Sequence, residues 1–135
     1  MNINPYLVFN GQCEEAFRMY EQILGGRIEM LSRFGDTPGC EGMPDAMKQQ
    51  VMHVYLAVGD EAIMGSDSPP EHYEKAAGTS VSIGVDDRAE GERIFNALAD
   101  GGTVRMPFEA TFWAQGFGMC VDRFGTPWMV NAGPK

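Results

Sequence analysis

The chain has 135 residues, 44% of them hydrophobic, which suits one domain with an ordinary core. Nineteen acidic residues against ten basic ones give a formal net charge of −9, which argues against a nucleic-acid or anionic-membrane partner, because both need a basic face. No apolar run is long enough for a transmembrane helix, and the opening residues Met1 to Tyr6 lack the basic and apolar regions of a secretion signal, so a cytoplasmic location is the default expectation.

Pro5–Phe9 is a short apolar run and predicts a strand. Asn10 stands where it could cap the helix that follows. From Cys13 to Leu24 the apolar residues Ala16, Phe17, Met19, Tyr20, Ile23 and Leu24 recur at helical spacing. Glu14 and Glu15 complement the dipole of its first turn, and Gly25-Gly26 stops it. Arg27–Phe34 alternates and predicts a half-buried strand. Residues 35–50 form a loop of roughly fifteen residues, long for a bare connection, and both a mobile surface loop and a lid over a pocket fit it.

Val51–Val58 and Glu61–Ser66 predict a hairpin around Gly59-Asp60. Met52, Val54, Leu56 and Val58 share its apolar face, while His53 and Tyr55 point together to the other side. His53 there fits either a hydrogen-bonded structural role or a ligand contact. The polar, proline-containing stretch that begins at Asp67 reads as a linker over residues 68–78, with His72 as a solvated loop residue.

Thr79–Val85 predicts a strand, and Asp86-Asp87 a cap for a helix over Arg88–Ala99 with the stripe Ile94, Phe95 and Leu98. Gly101-Gly102 ends that helix, and Thr103–Phe108 is a further strand. Gly116–Val121 and Pro127–Ala132 form a closing hairpin around the turn Asp122–Gly125. The three cysteines, Cys13, Cys40 and Cys120, have no metal-type spacing and read as reduced thiols. Cys13 falls at a helix start, where a thiol pKa can drop; a small part-buried residue is the plainer reading.

The layout repeats. Met19, Tyr20 and Ile23 recur as Ile94, Phe95 and Leu98, 75 positions on, and Gly25-Gly26 as Gly101-Gly102, 76 positions on. Halves over residues 1–67 and 79–135 each supply one helix and a short sheet, and neither buries enough alone, so they should pair, within the chain or with another subunit.

The run Thr111-Phe112-Trp113-Ala114, with Phe117-Gly118, Asp122, Phe124-Gly125, Pro127-Trp128-Met129 and Asn131, resembles the C-terminal signature of the PhnB-like branch of the vicinal oxygen chelate superfamily. Asn10 to Gly26 resembles that superfamily's first helix. The resemblance covers nearly the whole chain. It implies an α+β fold: one domain of tandem βαβββ modules forming a curved mixed sheet, with the helices on the convex side.

Superfamily enzymes typically hold a divalent metal with His and Glu from four strands. Carried over by position, those sites fall at Pro5, Met64, Ser80 and Met129. A proline, two thioethers and a hydroxyl are poor ligands for such ions. No metal or other cofactor is therefore expected, unless His53, Asp67 or Glu109 supply a relocated site, which their spacing does not favour.

The resemblance then places Met64, Met129, Trp113 and Phe117 as apolar contacts of a small-molecule pocket, with His53, Tyr55, Ser66, Ser80 and Gln115 as the polar ones. The same residues would equally serve as filling for the sheet. The expected function is a metal-free small-molecule-binding homodimer that encloses a small, partly aromatic ligand, with no nucleic-acid or membrane partner. The alternatives are a metal-dependent lyase, isomerase or dioxygenase with a relocated site or with His53 as acid–base, and a structural role without ligand. PhnB-like proteins are sometimes labelled as methyltransferases of ubiquinone synthesis, and the chain has no cofactor loop to support that label.

Overall fold

Helix α1 (Cys13–Leu24) buries Cys13, Ala16, Phe17, Tyr20 and Ile23, the stripe its spacing predicts. In the computed structural model, which describes residues 1–135, it belongs to a first unit, Met1–Glu74; a second comprises Lys75–Lys135. The first contains β1 (Tyr6–Phe9), α1, β2 (Arg27–Arg33), a one-turn helix α2 (Asp45–Lys48), β3 (Val51–Val58) and β4 (Glu61–Asp67). The second contains β5 (Val81–Val85), α3 (Arg88–Ala99), β6 (Thr103–Glu109), β7 (Gly116–Val121) and β8 (Pro127–Ala132). The sheet orders are β1-β4-β3-β2 and β5-β8-β7-β6. In each, the first and last strands run parallel and the other neighbours antiparallel. The α+β fold of two βαβββ modules is thus present, as two four-stranded mixed sheets.

Each helix covers one face of its own sheet. Val54 and Leu56 of β3 are fully buried on that face, and a Cβ added to Gly65 of β4 would strike the Phe17 ring of α1. In the second unit Trp128 and Val130 are fully buried, and a Cβ at Gly118 would strike the Phe95 ring of α3. Burying one such side chain contributes on the order of 1.5–3 kcal/mol, so these inner faces hold the modules together. The repeated glycines do one job twice. Gly25 and Gly101 take positive φ (70° and 76°), and the next residue passes so close to the third strand that a Cβ at Gly26 would meet Ala57 O, and one at Gly102 would meet Val121 O.

The structure corrects several local expectations. Asn10 does not cap α1. Gln12 occupies the cap position without a side-chain bond. The carboxylate of Asp67, far along the chain on β4, accepts from Gly11 N (2.9 Å) and Cys13 N (3.0 Å) through Oδ1 and from Val51 N (3.0 Å) through Oδ2. Burial pushes the Cys13 thiol well up from its ordinary value, and the carboxylates of Asp67 and Glu14 add to the rise. The expected drop at a helix start is absent because desolvation outweighs the dipole. Residues 35–50 are not a bare loop: a 3₁₀ turn at Phe34–Asp36 and α2 organise them, and Met47 is buried. β5 starts at Val81, not Thr79, and β6 reaches Glu109.

Candidate functional site

Strand alternation leaves a second face on each sheet, opposite its helix. In the first unit, cross-strand register builds a row over all four strands: Tyr6 pairs with Met64, Met64 with Tyr55 and Tyr55 with Met30. One step along, Val8 pairs with Ser66 and Ser32 with His53. Tyr6 and Met30 are 46% and 48% exposed, so this face is apolar yet open. The Tyr6 ring stacks on the His53 imidazole, with centroids 5.7 Å apart and planes at 23°. A hydrogen bond of 3.2 Å joins the Tyr6 hydroxyl and His53 Nδ1.

The second unit repeats the arrangement with different side chains. Ser82 pairs with Met129, Met129 with Met119 and Met119 with Met106. The neighbouring row runs Gly84, Asn131, Phe117, Glu109. The segment between β6 and β7 folds Trp113 against this row. Its indole N–H donates to Asn131 Oδ1 at 3.1 Å, and its ring meets Phe117 edge-on at 5.4 Å and 62°. Phe112 packs against Trp113 at 4.9 Å and 78°. The Thr111 hydroxyl holds this turn by accepting from Ala114 N at 3.0 Å.

His53, Tyr55, Met64 and Ser66 therefore share the open face of the first unit, and Trp113, Phe117 and Met129 that of the second. Gln115 stands apart, since its amide Nε2 donates to Pro134 O at 3.0 Å. Ser80 precedes β5, and the residue beside Met129 is Ser82. Likewise Tyr6, rather than Pro5, is the register partner of Met64. Tyr6, Met30, Met106 and Met119 were not among the expected contacts, and Asn131 and Glu109 were expected only as part of the signature and as a relocated metal donor. Alternation could have assigned each a face, but their adjacency follows from register, which local spacing does not carry.

The residues around Met64 and Met129, two of the positions that the sequence resemblance assigns to a metal, do not fit a divalent ion. Tyr6 beside Met64 and Ser82 beside Met129 offer a phenol, a hydroxyl and two thioethers, a set without the imidazoles and carboxylates that borderline or hard ions prefer. The chain has no group of three or more His, Cys, Asp or Glu placed to hold a metal. Of the relocated donors, Asp67 has both oxygens bonded to backbone amides, and Glu109 faces Phe117.

A family model described as 3-demethylubiquinone-9 3-methyltransferase matches residues 1–131. Protein YjdN of Escherichia coli (strain K12) is 33% identical, over 97% of this chain and 95% of that protein. The crystal structure of PA1353 from Pseudomonas aeruginosa is 51% identical with a TM-score of 0.91, covering 100% of this chain and 99% of that one. A Bacillus cereus PhnB protein, titled a putative 3-demethylubiquinone-9 3-methyltransferase, is 24% identical with a TM-score of 0.82 over 98% and 100% of the two chains, a likeness of fold. Fosfomycin-resistance and glyoxalase/bleomycin-resistance structures share that fold at far lower identity.

Proposed function

Because the chain belongs to the PhnB-like family described as 3-demethylubiquinone-9 3-methyltransferase, within the vicinal oxygen chelate superfamily, we propose that it is a small-molecule-binding homodimer that works without the superfamily's metal. The observation that carries this reading is the pair of open sheet faces that hold Met64 and Met129 among Tyr6, Tyr55, Phe117 and Trp113. Thioethers adapt to ligand shape, and aromatic rings stack on planar groups, so these faces suit a partly aromatic organic molecule. His53 and Ser66 supply the few polar contacts that fix orientation on one face, and Asn131 on the other. Exposed Tyr6, Val8 and Met30 give the first sheet an apolar face that a second subunit would cover. Three unpaired cysteines favour a reducing compartment such as the cytoplasm, and no helix is long and apolar enough to cross a membrane.

The family's descriptive name does not carry methyl transfer to this chain. A phosphate or carboxylate group of a ligand binds at a helix start only where backbone N–H groups are free to meet it. Here the N–H groups of Gly11 and Cys13 are bonded to Asp67.

Native mass spectrometry on protein purified without a metal-affinity tag or chelator tests the proposal. It reads subunit count, bound metal and carried-over ligand together. The expected species is a metal-free dimer, alone or with an organic adduct. One divalent ion per subunit would overturn the proposal in favour of metal-assisted chemistry, and a monomer would remove its dimeric part.

A further inference from the structure

From the Trp113 corner of the second unit we infer the class of ligand: an organic cation, such as a quaternary or protonated amine. The inference rests on the binding reading above and sharpens it. Trp113 and Phe117 present mutually tilted rings, and the indole is fixed by its bond to Asn131 Oδ1. Tilted aromatic walls attract a cation through the negative faces of their rings, with Trp the strongest of the three aromatic types. Glu109 sits directly across from Phe117 on β6, is exposed and forms no ion pair. It therefore supplies an unspent negative charge beside the rings. At the other end of the row, Gly84 leaves open space where a Cβ would stand, so the strip beside Asn131 has room for the rest of a ligand. The chain's net charge of −9 raises the local concentration of cations in the same direction. An anionic ligand would meet Glu109 and negative ring faces together, and a neutral one would gain at most a hydrogen bond from the carboxylate and no charge attraction.

The test compares choline with 3,3-dimethylbutan-1-ol, its uncharged carbon counterpart, by titration followed through indole fluorescence and ligand-observed NMR on the intact protein. Choline is expected to bind on the order of tenfold more tightly than the alcohol. Glu109→Gln should weaken choline several-fold and leave the alcohol unchanged, whereas Glu109→Asp should retain most of the preference. Trp113→Ala should weaken choline on the order of tenfold. Equal affinity for the two probes overturns the cation assignment, and so does a protein silent to choline. If the native mass spectrum then carries a neutral organic adduct, the binding reading survives without this one. If it shows the metal-free dimer without an adduct, the cation assignment falls and the binding reading is judged by subunit count and metal content alone.

Discussion

Trp128 is wholly buried, and its indole N–H donates to Asp122 Oδ2 at 2.8 Å. Trp113, in the same sequence signature, is 45% exposed. Trp128→Ala should therefore cost about 3–5 kcal/mol, through the lost indole and the cavity it leaves, seen as a lower urea midpoint at unchanged m-value. Trp113→Ala gives up chiefly its edge-on ring contacts and should cost about 1 kcal/mol. Equal losses for the two would contradict the separation of a core tryptophan from a ligand-facing one. The thiols make a second test. Burial, helped by the Asp122 carboxylate, pushes Cys120 up from its ordinary 9.0 to about 11, and Cys13 moves in the same direction. The unfolded chain ionises these thiols first, so the Cys120 contribution to stability is complete below pH 9.0 and drains away as pH rises through about 11. Urea midpoints against pH should decline over that window, less steeply in Cys120→Ala. Iodoacetamide on native protein should label half-buried Cys40 and spare Cys13 and Cys120.

At the scale of elements, the two long helices start by different means. Asp87 caps α3 locally, accepting from Glu90 N at 3.1 Å; α1 is held by Asp67, from another strand. Asp87→Ala should cost about 1 kcal/mol, as a surface cap does. Asp67→Ala strands three backbone N–H groups, each worth about 1–3 kcal/mol when buried and unmet, and should cost several times more. Native-state hydrogen exchange at Gly11, Cys13 and Val51 separates the cases: all three amides should lose protection in Asp67→Ala and keep it in Asp87→Ala. This contrast also marks what the sequence could disclose. The local cap at Asp87, both helical stripes and both glycine stops were legible, because each depends on residues a few positions apart. Asn10 looked like a cap because local spacing cannot register an acceptor 54 residues away. Burial of Met47 was hidden for the same reason, as a single methionine in a Gly/Pro-containing stretch has no periodicity to betray it.

At the scale of the whole chain, the repeat was legible because helix stripes and glycine pairs recur in step, and it carried the architecture. The open faces were legible only as alternation. Which residues lie side by side on them depends on pairing between strands, and so Tyr6, Asn131 and Glu109 were not expected as contacts of these faces while Met64, Phe117 and Met129 were. The division after Glu74 lies in a stretch, Glu74–Thr79, that is exposed throughout and outside helix and strand. A glutamate-specific protease should therefore nick first at Glu71 or Glu74, giving two fragments near these bounds, while the sheet signal in circular dichroism persists. First cleavage within either sheet would argue against this. The β1–β4 pairing has a further consequence, for the order in which the molecule is made. β1 is the first strand to leave the ribosome, but its partner arrives last in its module: Gly11 waits for an acceptor 56 residues downstream. The hairpin β3–β4 closes locally and the parallel strand docks on it afterwards, because the longer closure costs more entropy before any contact rewards it. Until then Tyr6 to Phe9 is an apolar strand without an edge to join, and the same interval recurs for β5 until β8 is synthesised. A nascent chain stalled between those events exposes an unpaired strand, and chaperone capture during synthesis should peak twice, once for each module.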